Sequence, residues 1–440
     1  MTPAAASRRA ASAPSARWVP GALLVVFAAG YYLYADLPLG GSLRLPAAGA
    51  VIGGLGLLAW HLGRLRYGDL WFAGAVTAIT LASLVLNPAF YEDPALRRYA
   101  VDYATSYLVF LASLPMALGV VAGLRLLPAS AIARGGLVTA IAILAGVLAE
   151  RYGGLDALSD RVRASLFPPE LIYAENLRDQ LMYGAVRPKL FTSEPSHVAK
   201  AYVLALLVWY VAAAKRWRIP ALYAFVAAGV ILIKSPGVLV VLPAIWIADC
   251  CKLRRSRWLV TLLVGGVFLS PVAWLAAEWA FSDRLAHIAS GRDGSFIIRI
   301  ALPWEVLGQV WAEHPLFGLG FGAKESGIPY AIAAAHTMAL DAGLLLQTTA
   351  PLGNNGLLIG LIQLGVLGSL LFGLTLVAFW RFACGAYWPF AAVALASYLV
   401  LIGGINDPRF WGGFALISAA AAAAVRRDGP QAQRTPLGPV

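Results

Sequence analysis

Apolar runs and short polar connections alternate along almost the whole chain. Stretches at about 18–35, 45–63, 70–88, 103–124, 132–149, 198–214, 219–233, 236–248, 258–278, 356–380, 386–404 and 411–425 carry few charges. Apolar runs of roughly 17–25 residues read as membrane helices. The pattern therefore predicts an all-α polytopic membrane protein of about twelve transmembrane helices, forming one membrane domain over 18–425. Two connections break the rhythm by their length, at about 150–197 and 279–355, and long loops inside a compact architecture are usually functional. In the first, "LDALSDRVRASLF" and "ELIYAENLRDQLMYG" have helical periodicity; the second carries an amphipathic helix and then a Gly-rich turn.

One apolar segment is too short for its task. Residues 219–249 must cross twice, with "KSPG" (234–237) at the turn. At about 1.5 Å per residue each arm reaches roughly 22 Å, short of a ~30 Å hydrocarbon core. Irregular backbone at that depth is tolerated around a protein-lined or water-filled cavity. Lys234 and the helix start at Ser235–Pro236 are thus expected to face a polar cavity suited to an anion.

Composition agrees with the pattern. Of 440 residues 60% are hydrophobic and 13% charged, against about 25% charged in soluble domains, and mean hydropathy is +0.74. The net charge of +12 calls for no nucleic acid. With the N-terminus cytoplasmic, Arg64, Arg66, Arg125, Arg134, Lys215, Arg216, Arg218, "KLRRSR" (252–257), Arg381, Arg426 and Arg427 all fall on the cytoplasmic side. Both termini are then cytoplasmic, with tails at 1–17 and 426–440 expected to be disordered, and the two long loops face the other side. Cys250, Cys251 and Cys384 lie near the cytoplasmic ends of spans, so no structural disulfide is expected.

Candidate chemistry gathers in the two long loops. The stretch "RPKLFTSEPSHVAK" (187–200) sets Arg187, Lys189, Glu194, His197 and Lys200 at the lip of a span, and "SEPS" reads as a helix start. Ionisable groups at membrane depth normally face a cavity. Arg292 and Arg299 come from the second loop, and arginine recognises phosphate through a bidentate, permanently charged fork. His197 and His336 are the histidines placed to act as a base near neutral pH. No metal-ligand pattern occurs, and "GLGFG" lacks the strand and the Lys-Ser/Thr of a phosphate loop.

Three stretches together resemble the O-antigen polymerase and O-antigen ligase superfamily, and most closely its exopolysaccharide and capsule polymerases. They are the cationic first loop running into "RPKLFTSEPSHVA", then "RIALPWEVLGQVWAEHPLFGLGFG", and "NNGLLIGLIQLGVLGSLLF". The resemblance implies a GT-C-like fold in the bacterial inner membrane with an active site facing the periplasm. It implies transfer of a glycan from undecaprenyl pyrophosphate to the next lipid-linked repeat unit, with inversion and without metal or cofactor. Its alternatives are the ligase reaction, in which lipid A–core is the acceptor, and a flippase or transporter of lipid-linked oligosaccharide. The implied partners are the undecaprenyl-pyrophosphate-linked oligosaccharide, membrane lipid, and a chain-length regulator and flippase of the same pathway. Carried over by position, Arg187 and Arg299 hold the pyrophosphate; Lys189, Lys234 and Arg292, from their charge and place in the chain, and Asn354 are expected as further substrate-binding groups. Ligases place a histidine where this chain has Asn354, so the base is sought among Glu194, His197 and His336.

Overall fold

The computed structural model describes residues 18–40, 43–86, 100–174, 176–214, 218–250, 293–338 and 352–429, with scattered positions between 275 and 290 and at 340. The tail at 1–17, most of the expected span at 258–278, Cys251, Arg292 and the segment 341–351 lie outside the described residues, as do 430–440.

The described chain is all but entirely helical. In order it comprises α1 (Val19–Leu33), α2 (Ala48–His61), α3 (Tyr67–Val85), α4 (Ala100–Leu124), α5 (Ala129–Tyr152), α6 (Asp156–Leu166), α7 (Asn176–Tyr183), α8 (Pro195–Ala212), α9 (Arg218–Ile233), α10 (Val241–Cys250), α11 (Leu302–Glu313), α12 (Ile328–Thr337), α13 (Gly356–Cys384), α14 (Trp388–Leu399) and α15 (Pro408–Asp428). Six helical segments among the described residues are long and apolar enough to cross a membrane: α3, α4, α5, α8, the continuous α13–α14 segment and α15. The shorter apolar helices include α1 and α9. α15 runs on through Arg426 and Arg427 to Asp428, so the last helix ends later than its hydropathy predicts. A two-stranded hairpin, β1 (Leu37–Gly40) with β2 (Leu43–Leu45), joins α1 to α2. It was not legible as strand because it sits between two apolar runs.

Close helix contacts are made where side chains are absent. A Cβ on Gly30 of α1 would stand 2.1 Å from the Ala50 nitrogen of α2, and one on Gly119 of α4 would stand 2.1 Å from the Gly54 carbonyl. Small residues that let backbones approach are the usual adhesive between helices in lipid. α8 and α15 are buried along most of their length, in a core that includes Tyr202, Tyr210, Trp411 and Phe414.

The described parts of the two long loops are folded. In the first, α6 and α7 are linked by a 3-10 turn at Pro169–Leu171. In the second, a π-helical turn (Ile297–Ala301) leads into α11. Pro303 explains a bond there: it has no N–H to give the Ile298 carbonyl five residues back, and that carbonyl accepts instead from Asn354 N at 3.3 Å. The "PLFGLGFG" turn then docks into a break in α13. Gly365 interrupts that helix at φ 65°, ψ −170°. Its freed neighbourhood is paired by Leu319 N to Ile362 O, Val366 N to Pro315 O and Leu367 N to Leu316 O. Gly318, also at positive φ, has no room for a Cβ against the Ile362 carbonyl. The glycines of this motif therefore fasten a loop to a helix.

Candidate functional site

The stretch 187–194 is built as a strained turn with many supports. Leu190 (φ 38°) and Phe191 (φ 66°) are left-handed, a conformation that costs non-glycine residues about 1–3 kcal/mol each. The Glu150 carboxylate accepts from Lys189 N and Leu190 N, and Ser159 Oγ accepts from Phe191 N. Buried Arg163 donates to the carbonyls of Thr192, Tyr173 and Ser193. The turn delivers Glu194 as the residue before Pro195, at the head of α8.

Behind it lies a cavity of about 320 Å³ whose lining, among the described residues, includes Arg187, Lys200, Arg284 and Arg299 but no carboxylate. The four cations are not equivalent. Arg187 donates to buried Asp179 through Nε at 2.8 Å and to the Tyr173 hydroxyl through Nη2, and it lies 4.4 Å from the Tyr183 ring centroid. Arg284 donates to Asp293 at 3.0 Å and to the Tyr183 hydroxyl at 2.8 Å. Lys200 and Arg299 have no hydrogen-bonded side-chain partner among the described residues, and Lys200 is 9% exposed. Burial presses the Arg299 guanidinium down from its usual value; Glu194 opposes this, while Arg284 and Arg187 add to it. Glu194 is the nearby counter-charge. Burial would raise its carboxyl, but its basic neighbours His197, Lys200 and Arg409 and the Ser196 hydroxyl hold it below the usual range. Apolar groups complete the wall, among them Leu285, Ile288, Phe296 and Ile300.

A second cavity, of about 380 Å³, opens beside the hairpin. Tyr34, Asp36, Arg44, Lys324, Asn354, Gln363, Asn406, Asp407 and Arg409 are among its lining residues. Asp407 precedes Pro408 at the head of α15 as Glu194 precedes Pro195 at the head of α8. Its carboxylate is fully engaged: it caps α15 through Arg409 N, holds the Arg409 guanidinium at 2.8 Å and accepts from the Tyr34 hydroxyl. Arg409 lies 3.7 Å from the Tyr34 ring centroid and donates from Nη1 to His197 Nε2 at 2.8 Å. A guanidinium only donates, so Nε2 accepts and the ring proton rests on Nδ1, 3.3 Å from Ser193 Oγ. Between the cavities is a cleft of about 10 Å³ lined by Tyr31, Tyr32, Tyr34, His197, Lys200, Tyr398 and Arg409.

Of the residues singled out in the sequence, Arg187 and Arg299 meet in the first cavity. Glu194 and His197 lie beside it, and Asn354 lines the second. Lys234 stands elsewhere: the "KSPG" turn lines the first cavity through Ser235, Pro236 and Gly237, but Lys234 donates to the Tyr183 carbonyl at 2.6 Å. Lys189 is buried in the first loop, where Arg163, Asp160 and Glu150 are its charged neighbours. His336 is exposed on α12 and lines neither cavity. Arg292 lies outside the described residues. Arg284, Arg409 and Asp36 were missed. A signal for Arg409 was present: "NDPR" repeats the acid-proline helix start of "SEPSH", each with a basic residue in the next turn.

No protein-family model matches the chain, and no curated protein is significantly similar to it.

Proposed function

We propose that the protein is a membrane glycosyltransferase that polymerises bacterial surface polysaccharide, using a glycan carried on undecaprenyl pyrophosphate as donor. The observation that carries this reading is the first cavity, where Arg187, Lys200, Arg284 and Arg299 converge beside an apolar wall. Such a wall suits a polyprenyl chain, and unengaged cationic donors suit the pyrophosphate next to it. The resemblance of the three sequence stretches to the O-antigen polymerase and ligase superfamily supports the same reading.

In the proposed reaction, Arg299 and Lys200 bind the pyrophosphate and take up the charge that develops on it as it leaves. Arg187 and Arg284, held by their aspartates, fix the shape of the site. A hydroxyl of the next lipid-linked repeat unit attacks the anomeric carbon from the face opposite the leaving group, so configuration inverts. No metal ion is required, because side-chain cations balance the leaving group. The active site faces the periplasm and the basic helix ends face the cytoplasm, in keeping with the distribution of Lys and Arg.

The test uses purified protein in lipid nanodiscs, native undecaprenyl-pyrophosphate-linked repeat units and EDTA. The expected product is a ladder of longer lipid-linked glycans. Transfer to lipid A–core without a ladder would make the protein a ligase. Neither product, with substrate and protein intact, would overturn the transferase reading.

A further inference from the structure

The second cavity carries an inference of its own. Its floor is open because residues 403 and 404 are both glycine. A Cβ on Gly404 would stand 2.8 Å from Asn406 Oδ1 and 3.9 Å from Gln363 Oε1, and one on Gly403 would stand 3.2 Å from Asp407 Oδ2. The missing side chains leave a notch faced by oxygen acceptors. One of these acceptors has nothing to accept. Gln363 is 1% exposed and donates through Nε2 to the Ala323 carbonyl at 2.9 Å, yet its buried Oε1 has no hydrogen-bond partner among the described residues. Leaving such a group unpaired costs about 1–3 kcal/mol, a cost that a bound hydroxyl would remove.

The rest of the wall suits a polyhydroxylated ligand. Arg44 and Lys324 bring donors, while Asn354 and Asn406 bring both donor and acceptor capacity. Sugar hydroxyls donate and accept at once, and so match a wall of mixed polarity better than an anion does. The volume of about 380 Å³ falls within the roughly 300–1,000 Å³ of small-ligand sites.

We propose that this cavity binds the terminal sugar of the acceptor glycan and that Asp36 is the base for its attacking hydroxyl. The assignment of a base rests on the transferase reading; the sugar site rests on the cavity alone. As the hydroxyl oxygen bonds to the anomeric carbon of the donor, its proton passes to the Asp36 carboxylate. The bond from that carbon to the pyrophosphate oxygen breaks with its electron pair on the leaving group. Asp407 is unsuited to the task because Arg409, Tyr34 and the backbone of α15 occupy it. His197 has committed its lone pair to Arg409. Burial raises the Asp36 carboxyl above the usual range and Asp407 adds to this, while Arg409 and Arg44 oppose it. Across the cavity Lys324 is the further charge.

The experiment measures binding and turnover separately, with protein in nanodiscs. The binding probe is the soluble repeat-unit oligosaccharide released from the host's own surface polysaccharide, followed by calorimetry. Wild type should bind it, while Gln363→Met and Gly404→Leu should each weaken binding at least about tenfold, or 1.4 kcal/mol. Asp36→Asn should bind within a few-fold of wild type, lose about 10²–10⁴ in kcat, and lose the acid limb of the pH profile. No binding by wild type, or unchanged binding by a folded Gln363→Met protein, would overturn the sugar site. Wild-type turnover by Asp36→Asn would overturn the base. Undecaprenyl pyrophosphate binding, which Gln363→Met should retain, is read alongside. Its absence from wild type, with the oligosaccharide still bound, would remove the donor reading and leave the sugar site standing.

Discussion

The two cavities are neighbours, joined by a narrow cleft that shares Lys200 with one and Tyr34 and Arg409 with the other, yet they are furnished oppositely. One is lined by four cations and apolar groups, the other by amides, acids and bases in mixture. Within the first, a finer contrast appears. Arg187 and Arg284 are locked to buried aspartates, whereas Arg299 and Lys200 have no hydrogen-bonded side-chain partner among the described residues. Having a cation in a pocket does not make it a binding group. On the proposed reading, uncommitted hydrogen bonds distinguish the cations that bind from those that build.

The strongest way to break this contrast is Arg187→Ala. Asp179 is 0% exposed and would keep hydrogen bonds from the Tyr173 hydroxyl and the residue-187 N–H but lose its counter-charge. A loss of up to about 3–5 kcal/mol of stability is therefore expected, together with loss of polymer. Thermal unfolding in detergent checks it, and Arg187→Ala with Asp179→Ala should recover part of the loss. Arg299→Ala should do the reverse. Turnover should fall by about 10²–10³, as for removal of one transition-state donor, while the melting temperature stays near that of wild type. If both variants lose stability equally, the distinction between builder and binder is wrong.

A smaller effect concerns acid. The Glu194 carboxyl lies below its usual range, so the stability it contributes is present above the ordinary glutamate value and is lost as pH falls through its own, lower value. Melting temperature should therefore drop on acidification, and Glu194→Gln should flatten that drop. The smallest effects belong to residues near or outside the cavities by sequence alone. Lys234→Met removes one bond to the Tyr183 carbonyl, expected to cost about 1.5–3 kcal/mol, with turnover unchanged in the folded protein. His336→Ala should leave both stability and turnover as they are, read in the same ladder and melting assays.

Hydropathy was enough to place helices at eleven of the twelve expected segments, the other lying largely outside the described residues, because apolar run length is a local property. It did not decide which helices are long enough to cross. It also missed the hairpin at 37–45, whose strands pair with each other and need no periodicity of their own. Site residues were legible where charge density was unusual, as in "RPKLFTSEPSHVAK". Arg409 and Asp36 sit singly beside apolar runs and gain meaning only when α1, α8 and α15 come together. Lys234 was misplaced for a simpler reason. Its ammonium is taken up by the Tyr183 carbonyl, which no reading of charge could foresee.

The cleft between the cavities has a consequence for fidelity. At about 10 Å³ it has space for about one water, the nucleophile most able to waste an activated sugar. Tyr31 and Tyr398 share a hydrogen bond, Tyr32 donates to the Leu190 carbonyl, Tyr34 donates to Asp407, and His197 is occupied by Arg409. Among the described residues no carboxylate lines the cleft. Lys200 is the one lining group among them left unengaged, and the proposed reading commits it as a cation to the pyrophosphate. On that reading a water lodged there meets no base, and the passage protects the donor from hydrolysis until a sugar hydroxyl arrives.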